Sequence, residues 1–194
     1  MAATPPSCHH PAPRLSPSAP FRATLPVLRP GRSGGAFRTI AAMILLRHGQ
    51  SEFNLHFTAT RRDPGIPDPR LTEAGMRQAE AAAEALAGER IRRIICSPYT
   101  RALQTAAPIA RRLGLPVIIN PIVRERYAFV CDIGTPRTEL ALAWPELDFS
   151  QVEEVWWPAV EEPDEQIEAR AALFRAEMAA LPDWRDTLVV SHWG

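Results

Sequence analysis

The chain contains no lysine, and all 22 of its basic residues are arginine. This reflects GC-rich coding more than function. It nonetheless excludes chemistry that needs a side-chain amine, and it leaves the guanidinium as the permanently charged donor for an anion. An excess of either charge is also missing: 22 acidic residues balance the arginines, so no general attraction to nucleic acid or to an anionic membrane is indicated. Cysteine is scarce. Cys8, Cys96 and Cys131 are odd in number and widely spaced, which excludes a disulfide framework and metal-ligand spacing and fits reduced thiols in the cytoplasm. No apolar run approaches membrane-spanning length. What is present, 194 residues of which 46% are hydrophobic and 23% charged, suits one globular domain with a sizeable core.

Residues 1–42 differ from the rest, with eight prolines, five arginines and no acidic residue. Without apolar periodicity the segment cannot bury enough surface to offset its conformational entropy, so disorder is expected. An acid-free, Arg- and Ser-containing leader would fit an organelle transit peptide. The prolines, however, spoil an amphipathic targeting helix, and Met43 stands directly before the first strand. A misassigned start is the preferred expectation.

The stretch Met43 to Asn54, MILLRHGQSEFN, carries the first chemical signal. Met43–Leu46 is a short continuous apolar run, as in a central strand covered on both faces. It ends in Arg47-His48-Gly49. Ligands of open α/β sheets bind where the strands end. Arg47 offers a planar fork of donors for an oxyanion, His48 is a potential nucleophile, and Gly49 lets the backbone approach a ligand closely. Ser51 and Asn54 add short polar side chains. Taken alone, Arg-His-Gly more often marks a hydrogen-bonded structural histidine than a catalyst.

Leu55 to Arg70 reads as a loop because of its breakers, with Arg61 and Arg62 either reaching a phosphate or simply solvated. Thr72 caps a predicted helix to about Leu86 that places Met76, Ala79, Ala83 and Leu86 on one face, with Gly88 as the stop. Arg93–Cys96 reads as a second buried strand. Ser97 as N-cap and Pro98 at the first helical position start another helix directly off it. Arg101 then lies in the first turn, where free N–H groups favour an anion. Leu103, Ala106, Ala110 and Leu113 form that helix's core face, and Val117–Ile119 is a third strand, giving spacings that suit a parallel sheet.

Arg124-Glu125-Arg126 comes next, either a surface ion network or, beside a phosphate ester, a proton donor between two cations. Thr138 to Glu168 holds ten acidic residues and no basic one, with Trp144, Trp156 and Trp157. It reads as a broken helical excursion that covers the site, its tryptophans packing rather than caging a ligand. Ile167, Ala171, Phe174, Met178 and Leu181 mark an amphipathic helix. Thr187–Val190 is a fourth strand that ends in Ser191-His192-Trp193-Gly194, so a second histidine is delivered at a strand end.

LLRHGQSEFN, LTEAGMRQA, SPYTRALQTA and VVSHWG, in that order and roughly that spacing, resemble the histidine phosphatase superfamily, the branch that includes the cofactor-dependent phosphoglycerate mutases. The resemblance spans Met43 to Gly194. It implies a three-layer α/β/α sandwich with a mostly parallel central sheet, a phosphohistidine intermediate, and neither metal nor cofactor. By position it implies His48 as nucleophile and Glu125 as proton donor, with Arg47, Arg101 and His192 forming the phosphate pocket and Asn54 donating a further hydrogen bond. His192 must be protonated to help. A metal site built on His48, His56 and His192 lacks carboxylate ligands of suitable spacing. The mutases hold a second anionic group of the substrate with basic residues that include a lysine. Here there is none and the corresponding stretch is acidic, so the expected activity is hydrolysis of a small phosphomonoester, with mutase-type transfer or idle phosphate binding as alternatives. Family domains continue past the second histidine with a helix and an edge strand, so a fragment or truncated gene model is expected. No nucleic-acid or membrane partner is expected, and the sequence specifies no oligomeric state.

Overall fold

In four places the chain gathers branched apolar residues into runs short enough for strands, and these pair edge to edge. The structure is a computed structural model describing residues 43–193. The segment 1–42, with its expected disorder, and Gly194 lie outside the described residues. Strands β1 (Ile44–Arg47), β2 (Arg93–Cys96), β3 (Val117–Ile119) and β4 (Thr187–Ser191) form one parallel sheet in the order β1-β4-β2-β3. The register sets Arg47 opposite Ser191 and Cys96 opposite both Val190 and Ile119. All four strands therefore finish along one edge, and the residues just beyond them emerge together there.

Side chains alternate across a strand, and this divides the core in two. Ile94, Cys96, Leu188 and Val190 pack on one face with Ala83, Leu103, Ala106 and Ile109 from helices α2 (Glu73–Leu86) and α3 (Thr100–Leu113). Ile95 and Val189 face the other way, toward Phe174 and Met178 of helix α5 (Asp164–Ala179). The result is three layers, as expected. Two further helices, α1 (Glu52–Thr60) and α4 (Arg137–Ala143), lie in the connections.

Several expectations need correction. β1 is the edge strand of the described sheet rather than a central one. It pairs only with β4, and Leu45 is 72% exposed. Leu45, Phe174, Met178 and Trp184 instead border an apolar groove of about 890 Å³, which is why the apolar stripe of α5 is mostly half-buried. The expected loop from Leu55 begins within helix α1. Ser51 and Asn54 form a capping box at its start and Arg61 closes it in the left-handed region at φ 56°. The helix escapes notice because it buries no residue fully and so shows no apolar periodicity. In α2, Met76 is 41% exposed and Gly75 takes the inner position. Helix α3 starts two residues later than Ser97-Pro98 suggests, with Tyr99 as the N-cap. Its free N–H is met from far along the chain, since Asp68 accepts from the Thr100 backbone N–H (2.9 Å) and hydroxyl (2.6 Å). Within the acidic excursion Trp156 is buried, packs edge-on against Tyr99 at 4.6 Å, and donates from Nε1 to the Thr135 carbonyl. The tryptophan acts as core packing, as expected.

Candidate active site

His48 directly follows β1, and its backbone N–H continues the ladder by donating to the Ser191 carbonyl. Its ring is buried, and Nδ1 lies 2.7 Å from the Gly49 carbonyl. A carbonyl only accepts, so Nδ1 carries the proton and Nε2 keeps its lone pair. Burial first, then the charges of Arg101 and Arg47, lower the His48 pKa to about 3 against the partial support of the Gly49 hydrogen bond. The imidazole is neutral across the physiological range.

The turn that holds it is clamped from two sides. The Gly49 N–H donates to the Thr105 hydroxyl (3.0 Å), which in turn donates to the Arg101 carbonyl one helical turn earlier in α3. Against the other side lies the start of α2. A Cβ at Gly49 would sit 2.6 Å from the Gly75 carbonyl oxygen, and one at Gly75 would collide with the Gln50 carbonyl. Gly49 is therefore required by helix–turn packing.

Arg101, in the first turn of α3, is 3% exposed and forms a buried pair with Asp132, itself 2% exposed. Its two terminal nitrogens donate to the Cys131 carbonyl (2.9 Å) and to Asp132 Oδ1 (3.2 Å), and the guanidinium lies 4.3 Å from the centre of the Tyr99 ring. The Tyr99 hydroxyl donates to the Asp132 carbonyl at 2.6 Å. A guanidinium fixed in this way presents its remaining donors in a set direction. Asn54 Oδ1 accepts from the Ser51 N–H in the capping box, which leaves the amide NH₂ for a ligand.

A pocket of about 240 Å³ is lined by Arg47, His48, Asn54, Arg101 and Glu125 together, five of the six residues singled out in the sequence. The sixth, His192, lies beside them, its ring tilted 58° to that of His48 with the centres 5.1 Å apart. Its Nε2 is 2.8 Å from Ser97 Oγ, and its Nδ1 is buried without a hydrogen-bond partner. If the Ser97 hydroxyl donates to Nε2, the proton of the neutral ring sits on the unpartnered Nδ1. The sequence reading needs His192 protonated, and its surroundings disfavour that form. Burial, followed by Arg101, His48 and Arg47, lowers its pKa well below the usual histidine value. Arg61 and Arg62 are exposed and do not line the pocket.

Both readings of Arg124-Glu125-Arg126 have a counterpart here. Glu125 lines the pocket and accepts from the Arg126 N–H. Arg124 and Arg170 share the buried carboxylate of Glu162, and Arg126 pairs with Asp164 (2.9 Å) and Glu161 (3.5 Å). The acidic excursion thus neutralises the arginines flanking Glu125. Sequence reasoning misses Thr105, Asp132 and Asp68, each of which acts across 30 or more residues. The one signal for Asp132 is indirect: an arginine in a buried first turn demands a carboxylate. Among the described residues no group of three or more His, Cys, Asp or Glu is placed to hold a metal ion, and no helix is long and apolar enough to cross a membrane.

Two histidines at adjacent strand ends, with a helix-start arginine buried beside them, define a class. The chain belongs to the histidine phosphatase superfamily (branch 1), whose pattern it matches over residues 43–194. It is similar to a 2,3-bisphosphoglycerate-dependent phosphoglycerate mutase of Methylobacterium sp., with 45% identity over 89 residues, covering 43% of this chain and 41% of that protein. It is also similar to a glucosyl-3-phosphoglycerate phosphatase of Mycobacterium tuberculosis, at 30% identity over 166 residues, 78% of this chain and 70% of that one. A solved mycobacterial glucosyl-3-phosphoglycerate phosphatase superposes with a TM-score of 0.53 at 28% identity, covering 77% of this chain and 73% of that one. The match to the mutase spans only about two fifths of that relative's length.

Proposed function

We propose that the protein hydrolyses phosphomonoesters through a covalent phosphohistidine on His48, without a metal. The observation that carries this reading is the state of His48: a buried neutral imidazole, tied through Nδ1–H to the Gly49 carbonyl, in a pocket with Arg47 and Arg101. His48 Nε2 attacks phosphorus, and the bond to the ester oxygen breaks as Glu125 passes a proton to that departing oxygen. The charge spread over the equatorial oxygens meets Arg47 and Arg101, with hydrogen bonds from Asn54 and His192. Water then attacks the phosphohistidine, Glu125 takes its proton, and His48 leaves as the neutral imidazole while phosphate departs.

Hydrolysis is favoured over mutase-type transfer by the pairing of the nearby cations. Arg124, Arg126 and Arg170 are already matched with carboxylates of the acidic excursion, so a second anionic group on the substrate gains little there. The test is turnover of a phosphomonoester panel in excess EDTA, with 3-phosphoglycerate plus bisphosphoglycerate primer included, comparing the wild type with a folded His48→Ala variant. Phosphate release that persists in EDTA and is lost by at least roughly 10³-fold in the variant is expected. Isomerised phosphoglycerate without net phosphate release would instead assign a mutase.

A further inference from the structure

The pocket has more lining than a phosphate needs. Beyond Arg47, His48, Asn54 and Arg101 it is bordered by Phe53, Phe129 and Arg126. Phe53 sits in the first turn of α1, one residue before Asn54. Phe129 belongs to the segment that Asp132 pins, because Oδ2 of Asp132 accepts from the backbone N–H of both Ala128 and Phe129 at 3.1 Å while Oδ1 holds Arg101. One carboxylate thus ties together the phosphate-side guanidinium and the backbone that carries an aromatic ring. The Phe53 and Phe129 ring centres are 5.4 Å apart, and both rest on Phe57, at 5.1 and 5.3 Å. Phe129 is nevertheless 40% exposed. A ring held this firmly yet left open beside a charged pocket has a face to offer.

The charge pattern narrows what can lie on that face. Phenyl faces carry negative potential, which disfavours a carboxylate. Among the described residues lining this pocket, the remaining cation, Arg126, is already paired with Asp164 and Glu161. We infer that Phe53 and Phe129 form the subsite for the alcohol part of the ester, and that this alcohol is a neutral ring laying an apolar face on the phenyl groups. An aryl ring and the C–H face of a sugar ring share that chemistry. The inference rests on the phosphomonoesterase reading for its meaning, but its test does not need turnover.

Phosphonates occupy a phosphate site without being cleaved, so calorimetric titration of the intact chain with methyl-, phenyl- and cyclohexylphosphonate isolates the wall from the chemistry. The ring phosphonates are expected to bind roughly 3- to 10-fold more tightly than methylphosphonate. Phe129→Ala is expected to bring that ratio close to one with methylphosphonate affinity unchanged, and Phe129→Leu to restore part of it. Preference for phenyl over cyclohexyl upholds the subsite and assigns aryl esters; equal binding of the two upholds it and assigns saturated rings. Equal affinity for ring and methyl compounds in the wild type, a preference that survives Phe129→Ala, or tighter binding of 3-phosphonopropionate than of phenylphosphonate would overturn the inference. Absence of turnover on every ester, with the ring preference intact, counts against the hydrolase reading alone.

Discussion

A histidine serves as a nucleophile only while unprotonated, and the arginines that suit a phosphate also keep His48 in that state. Burial, Arg101 and Arg47 lower it to about 3 from an ordinary 6.5. Between those values the unfolded chain binds a proton that the folded chain refuses, so stability is lost as pH falls through 6.5 and recovered as it rises. From His48 alone the loss between pH 7 and pH 5 is about 2 kcal/mol, and His192, shifted the same way, adds to it. Urea denaturation at the two pH values should therefore show the wild type declining more steeply than His48→Asn by about that amount. Parallel declines would mean that the ring protonates in the folded state. The same shift predicts that no acid limb of the activity profile above about pH 4 arises from His48.

At the level of elements, the turn that holds His48 depends on two backbones meeting where neither tolerates a side chain. Gly49→Ala pushes a methyl against the Gly75 carbonyl, and is expected to cost about 1–3 kcal/mol and to depress turnover by displacing the carbonyl that anchors His48. Gly88→Ala, whose added Cβ meets nothing within 4 Å, is the control, expected to change stability by under about 0.5 kcal/mol. A Gly49→Ala variant as stable and active as that control would contradict the clamp. Elements with a strong local signal are legible in the sequence. The four apolar runs mark the strands, Thr72 marks the start of α2, and His48, Arg101 and His192 can be placed because each sits directly at a strand or helix end. Helix α1 is not legible because it has no buried face. The cap of α3 is misread locally because its true acceptor, Asp68, lies 32 residues upstream of Thr100. The edge position of β1 depends on β4 inserting between β1 and β2, a pairing across more than 140 residues that no local pattern encodes. The clamp on Gly49 is illegible for the same reason, since the backbone it meets belongs to another element.

For the whole molecule, the sheet and the acidic excursion share the work of building one pocket of about 240 Å³. The parallel register brings Arg47-His48 and Ser191-His192 out side by side, while α3 adds Arg101. The excursion supplies carboxylates that hold the segment around Glu125: Glu162 pairs with Arg124 and Arg170, and Arg170 donates to the carbonyls of Ile122 and Arg124. In the proposed mechanism this leaves Arg47, Arg101 and His192 to act on a single transferred phosphoryl group. The most direct measurement of that account is rapid acid-free quenching of the wild type during turnover of a ³²P-labelled monoester, with subsequent mapping of the label. The account predicts an alkali-stable, acid-labile phosphoryl group on His48, formed and lost at rates that match turnover, and absent from His48→Ala. Full turnover with no label on His48, or label on another residue, would contradict it.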